Sequence, residues 1–143
     1  MKSPWFLSPL FAVVLFTQCE KTDGPGDVSF AKDTFESLAR GDSATVDEID
    51  WMTLQSLGQN VGAAYAQLPT EAEKNDFEAS FVTQFAASFR DAGGRIESFE
   101  NWRVVHDDEL RTEVAATSPG GTLTITVNDR DGKERISALN FVP

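Results

Sequence analysis

The chain has little of what most enzyme chemistry draws on. Its 143 residues hold one histidine, His106, one tyrosine, Tyr65, and one cysteine, Cys19. A single cysteine excludes an internal disulfide, and one histidine beside one cysteine cannot make a zinc site of ordinary composition. Positive charge is scarce too: 12 Lys and Arg face 23 Asp and Glu, a formal net charge of −11. A surface of that sign repels phosphate backbones, so nucleic acid is not expected as a partner. There is no glycine-rich phosphate loop and no serine in a nucleophile elbow, which removes nucleotide binding and serine acyl transfer. Asp129-Arg130-Asp131-Gly132 falls short of a calcium loop, because counting back from Gly132 puts Val127 where a carboxylate is required. No metal and no cofactor is expected. Nor does any apolar run reach the roughly 20 residues of a membrane-spanning helix.

What is present begins at the N-terminus. Lys2 is the only charge before an apolar stretch from Trp5 to Phe16, broken by Ser8 and Pro9. A basic start and a short apolar core fit a secretory signal peptide over residues 1–18. Phe16-Thr17-Gln18-Cys19 resembles the lipoprotein pattern of Leu, a small residue, Gly or Ala, and an acylated cysteine. Thr17 matches it, while Phe16 and Gln18 stand where Leu and Gly or Ala are usual. This resemblance implies a lipidated Cys19 and an exported protein anchored in the cell envelope, facing the periplasm or the cell exterior. Two acyl chains would hold an acidic domain at a membrane that its charge cannot, each buried methylene contributing about 0.8 kcal/mol. Residues 19–27 carry Gly24-Pro25-Gly26 without apolar periodicity and read as the lipidated terminus and a flexible stalk. Residues 28–143 are then one domain.

Within that domain, Phe30, Ala31, Phe35, Leu38 and Ala39 recur at helical spacing before Gly41, which predicts a first helix. Thr45 to Leu57 predicts a second, with Val46, Ile49, Trp51, Met52, Leu54 and Leu57 apolar and Asp47, Glu48 and Asp50 near its start, where the dipole favours acids. Gly58 to Pro69 fits either a short helical turn or a packed loop. Thr70 and Glu73 form a capping box that opens a long helix ending at Gly93-Gly94. Along it Phe77, Phe81, Phe85 and Phe89 stand four apart. Each step advances about 40° around the axis, so the four rings pave one broad face. Strands are then expected over Arg95–His106, Leu110–Thr117, Thr122–Asn128 and Lys133–Val142, with turns at Asp107-Asp108, Ser118–Gly121 and Asp129–Gly132. The expected class is α+β: N-terminal helices packed on a curved four-stranded antiparallel sheet, cone-like, with the phenylalanine helix covering the sheet.

Phe35-Glu36-Ser37-Leu38-Ala39-Arg40-Gly41-Asp42 and the strands from Trp102 onward resemble the nuclear transport factor 2-like superfamily. Its members include ketosteroid isomerase, small polyketide cyclases and many non-enzymatic bacterial lipoproteins. Leu57-Gly58, Leu68-Pro69-Thr70-Glu71 and the Phe77 and Phe81 spacing resemble, more weakly, the periplasmic phospholipid carriers of the Mla lipid-transport system. These resemblances imply a cone with a pocket, for which Trp51, Tyr65, Phe81, Phe85 and Trp102 are the candidate lining residues. The favoured function is a non-catalytic envelope lipoprotein whose cone binds a hydrophobic small molecule, a lipid or a partner protein. The alternatives are a small proton-transfer enzyme, with His106 or Asp50 as base and Tyr65 as donor, and a purely structural lipoprotein. Superfamily members often dimerise through the open sheet face, and Thr122, Thr124 and Thr126 suit either that face or water; a homodimer stays open.

Lipidation at Cys19 is checked by fractionation and intact mass. The wild-type protein is expected in the membrane fraction with a diacylglycerol-sized mass increment, and Cys19→Ser is expected to lose both.

Overall fold

The computed structural model describes residues 25–143. The expected signal peptide, Cys19 and the stalk up to Gly24 lie outside the described residues. Helix α1 spans Pro25–Arg40. It ends where the Gly41 amide donates to the Leu38 carbonyl and the Asp42 amide to that of Ser37, a pairing that satisfies the last free carbonyls of a helix. Ala31, Phe35 and Leu38 lie three and four residues apart and are almost completely buried, so one stripe of α1 faces inward. At its other end the buried Asp27 carboxylate lies 3.1 Å from the Thr112 hydroxyl, itself 2.9 Å from Asp107, which moors the first turn of α1 to the sheet.

The expected second helix over Thr45–Leu57 does not form. A 3-10 turn covers Ser43–Glu48, started by Asp42, whose side chain accepts from the Ala44 amide. The chain then extends: Ile49 bridges Ile136 in parallel, and the Asp50 amide donates to the Ile136 carbonyl. Strand β1, Gln55–Ser56, continues that pairing, and β2, Gln59–Asn60, folds back on β1. The apolar residues here have helical spacing, but an unpaired sheet edge offers ladder hydrogen bonds that outweigh the local preference. Helix α2, Val61–Ala66, follows directly, capped by the Asn60 side chain accepting from the Ala63 amide.

Helix α3 spans Glu71–Asp91, with Thr70 accepting from the Glu73 amide as the capping pattern requires and donating its hydroxyl hydrogen to the Glu73 carboxylate. A 3-10 turn at Ile96–Ser98 replaces the start of the expected first strand. Strands β3, Glu100–Asp107, β4, Arg111–Ser118, β5, Gly121–Arg130, and β6, Lys133–Val142, form an antiparallel meander. The sheet is therefore six-stranded and mixed, in the order β2-β1-β6-β5-β4-β3, rather than four-stranded and antiparallel. The general α+β class stands.

A second correction concerns layering. Helix α1 touches β3 through β6, and α3 packs on α1 and the 3-10 turn after it. The sheet's cover is thus α1, not the phenylalanine helix. Ala31, Phe35 and Ala39 form one buried row of α1. Leu123, Ile125 and Val127 of β5 are buried beneath, with Ile136 and Leu139 of β6.

Gly62 decides between local and tertiary forces. A Cβ there would lie 2.4 Å from the Met52 carbonyl oxygen. Helix propensity alone makes Gly62→Ala stabilising by about 1 kcal/mol. The close approach makes it destabilising by about 1–3 kcal/mol instead, and urea unfolding reads the sign.

Candidate functional site: an apolar cleft

The four phenylalanines of α3 split between two environments. Toward its N-terminus, Phe77 and Phe81 meet Trp51 edge-on at 6.3 and 5.4 Å, and Trp51 stacks on Tyr65 at 5.8 Å. The polar tips in this cluster are satisfied. The Trp51 indole donates to the Val46 carbonyl at 3.0 Å, and the Tyr65 hydroxyl donates to Glu78 at 2.7 Å. Burial first, and then the Glu78 carboxylate, push the Tyr65 phenol up to about 12, because both disfavour the phenolate.

Toward the C-terminus of α3, Phe85 and Phe89 face a cleft of about 650 Å³. Phe35 of α1 forms its floor with Leu123 of β5 and Phe141 of β6. The walls are Ala92 to Arg95 with Ser98 and Phe99, and the β4–β5 turn at Ser118-Pro119-Gly120, and Leu57 of the β1–β2 turn lines it as well. Phe35 is in edge contact with Phe85, Phe89 and Phe99 at 6.5, 5.7 and 5.2 Å. The lining is overwhelmingly apolar, with serine hydroxyls from Ser88, Ser98 and Ser118. Among the described residues, Arg95 is the only charged one that lines it. Its guanidinium is mostly exposed and lies 3.8 Å from Glu97, a loose pairing that leaves it open to another anion. The volume falls within the range of small-molecule sites.

Of the five lining residues expected from the sequence, Phe85 is in the cleft. Trp51, Tyr65 and Phe81 belong to the closed cluster, and Trp102 packs on Phe35 with its indole donating to the Phe99 carbonyl. Sequence reasoning missed Phe35, Leu57, Phe89, Arg95, Phe99 and Phe141. Phe89 was within reach, since it continues the four-residue row one step beyond Phe85. The others come from separate elements and share no local signal.

The two candidate bases, His106 and Asp50, stand on different sides of the sheet. Asp50 is buried beside the Ile49 bridge at one side of the sheet. His106 is on β3 at the other, half exposed, with Nε2 3.1 Å from Asp108. Register runs Ile49, Ile136, Val127, Thr112, Asp107 across the strands. Four spacings of roughly 4.8 Å put about 19 Å between the two neighbourhoods. Asp108 belongs to its turn: the Leu110 amide first, then His106 and Arg111, hold its carboxyl below the usual range. Neither His106, Asp50 nor Tyr65 lines the cleft. Among the described residues no group of three or more His, Cys, Asp or Glu side chains could hold a metal ion, and no helix is long and apolar enough to cross a membrane.

No protein-family model, curated protein or solved structure matches this chain.

Tyr65 supplies a pH test without interference from a second tyrosine. Its phenol stays protonated in the folded protein above the pH at which the unfolded chain ionises, so the unfolded state binds fewer protons in that window. Stability is expected to fall from about pH 10 to about pH 12, and Tyr65→Phe is expected to remove that part of the fall. Tyrosinate absorbance and denaturant unfolding at stepped pH check both.

Proposed function

We propose that this chain is a non-catalytic envelope lipoprotein, anchored through Cys19, whose domain binds an amphiphilic small molecule in the apolar cleft. The observation that carries the reading is the cleft itself: about 650 Å³ lined by phenylalanines from three layers of the fold. An acyl chain or other elongated apolar group fits such a lining, since each methylene removed from water contributes about 0.8 kcal/mol. Arg95 at the wall suits an anionic end. That is a local preference on a chain whose overall charge repels anions at long range. Among the described residues the ionisable groups expected to do proton transfer stand elsewhere, which favours binding over catalysis.

The helix order and the antiparallel meander support a cone of the nuclear transport factor 2-like kind. The short hairpin at β1 and β2 ahead of α3 supports it as well. The residues behind the likeness to Mla-type carriers divide. Leu57 is at the cleft, whereas Phe77 and Phe81 pack in the closed cluster. A lipid cargo rests on the cleft rather than on that spacing.

Titration of the purified full chain with 1-anilinonaphthalene-8-sulfonate, followed by displacement with dodecanoate, tests the reading. Saturable fluorescence that dodecanoate displaces is expected. Ser88 lies on the exposed side of α3 and lines the cleft, so Ser88→Trp fills the space without touching the core. It is expected to weaken binding by about tenfold or more, the equivalent of roughly 1.4 kcal/mol. A wild-type protein that neither binds the dye nor retains a small molecule in native mass spectrometry overturns the reading.

A further inference from the structure

Strands β1 and β2 are joined by two residues, Leu57 and Gly58, with Gln55 opposite Asn60 and Ser56 opposite Gln59. Both loop residues have positive φ, 51° at Leu57 and 86° at Gly58. This is the two-residue hairpin turn whose first position favours asparagine, aspartate or glycine, because a side chain there crowds its own backbone. Gly58 suits its position. Leu57 does not: a bulky residue held left-handed is a strained one, and such strain persists where the surrounding structure imposes it. The constraint is visible, for the Leu57 amide donates to the Leu139 carbonyl at 2.8 Å and β1 runs beside β6. The side chain gains little from burial in return. Leu57 is 55% exposed, one of the few large apolar residues so placed, and it lines the cleft.

We propose that Leu57 is a specificity-determining residue of the cleft, held in an unfavourable backbone conformation so that its side chain forms an apolar cover over the bound part of an amphiphile. The inference rests on the binding reading given above. The tip is tied to β6, so it acts as a fixed wall and selects ligands by the length of apolar group that reaches under it. Exposure in the unliganded protein is then the state that a ligand relieves.

Two substitutions separate strain from contact. Leu57→Asn relaxes the turn and removes the apolar side chain. Leu57→Ala removes most of the side chain but lacks the local hydrogen bonding by which asparagine eases the left-handed conformation. Both are expected to weaken dodecanoate binding about five- to tenfold, as loss of a partly buried leucine contact implies, with less effect on shorter-chain octanoate. In unliganded full chain, Leu57→Asn is expected to raise the thermal midpoint by about 3 °C over Leu57→Ala. Wild-type affinity in both variants overturns the proposal while leaving the cleft as the binding site. Equal midpoints for the two variants overturn the strain argument, and that arm is read without any ligand. No dodecanoate binding by the wild type fails the binding reading itself, and the cover with it.

Discussion

The ring of Phe35 is 3% exposed and lies where α1, α3, the segment before β3 and the sheet come together. Its edge contacts with Phe85, Phe89 and Phe99, and the tilted contact with Trp102, each contribute about 0.5–1.5 kcal/mol beyond simple burial. Because α1 carries this ring and lies directly on β3 through β6, α3 is held one layer away from the sheet. Along most of its length α1 and the 3-10 turn fill the gap. At the C-terminal end of α3, Phe85 and Phe89 meet Phe35, and the space bordered by these rings, Leu123 of β5 and Phe141 of β6 is the cleft. The site is thus a consequence of how three layers stack around one aromatic contact.

The same row of phenylalanines serves two purposes because its neighbours differ in polarity. Trp51 and Tyr65 bring an N–H and an O–H into the interior, and a buried donor without a partner costs about 1–3 kcal/mol. Both find acceptors, in Val46 and Glu78, which fixes the geometry of that end and closes it. At the other end the aromatic rings that line the cleft are all phenylalanine, and a phenyl ring has no donor to satisfy. It can border an empty apolar volume at the cost of lost dispersion contacts only. A closed cluster and an open cleft on one helix face therefore follow from which aromatic types pack against it.

The ionisable residues are largely occupied by structure. Asp27 and Asp107 share the Thr112 hydroxyl where α1 meets β4, Asp108 orders the β3–β4 turn, Asp42 opens a helical segment, and Glu73 accepts from Thr70 at the start of α3. The surplus of acids gives the chain a net charge of −11, which repels anions at a distance. Arg95 is a local exception at the cleft wall.

Much of this architecture is legible in the chain because the deciding forces are local. The α1 stripe ending at Gly41, the Thr70–Glu73 start of α3 and the alternation of β5 depend on periodicity and capping, which a linear reading contains. So do the limits set by one histidine, one cysteine and an acidic balance. The segment from Thr45 to Leu57 was illegible: its helical spacing lost to the open edge of β6, and that edge exists only after the meander has folded. Layering was illegible as well, since a row of large rings suggests a sheet cover until α1 takes the place. Composition and period determined the two long helices and the strands of the meander. The tertiary structure alone decided which phenylalanines border the cleft and why Leu57 lines it, because long-range strand pairing put β1 and β2 there.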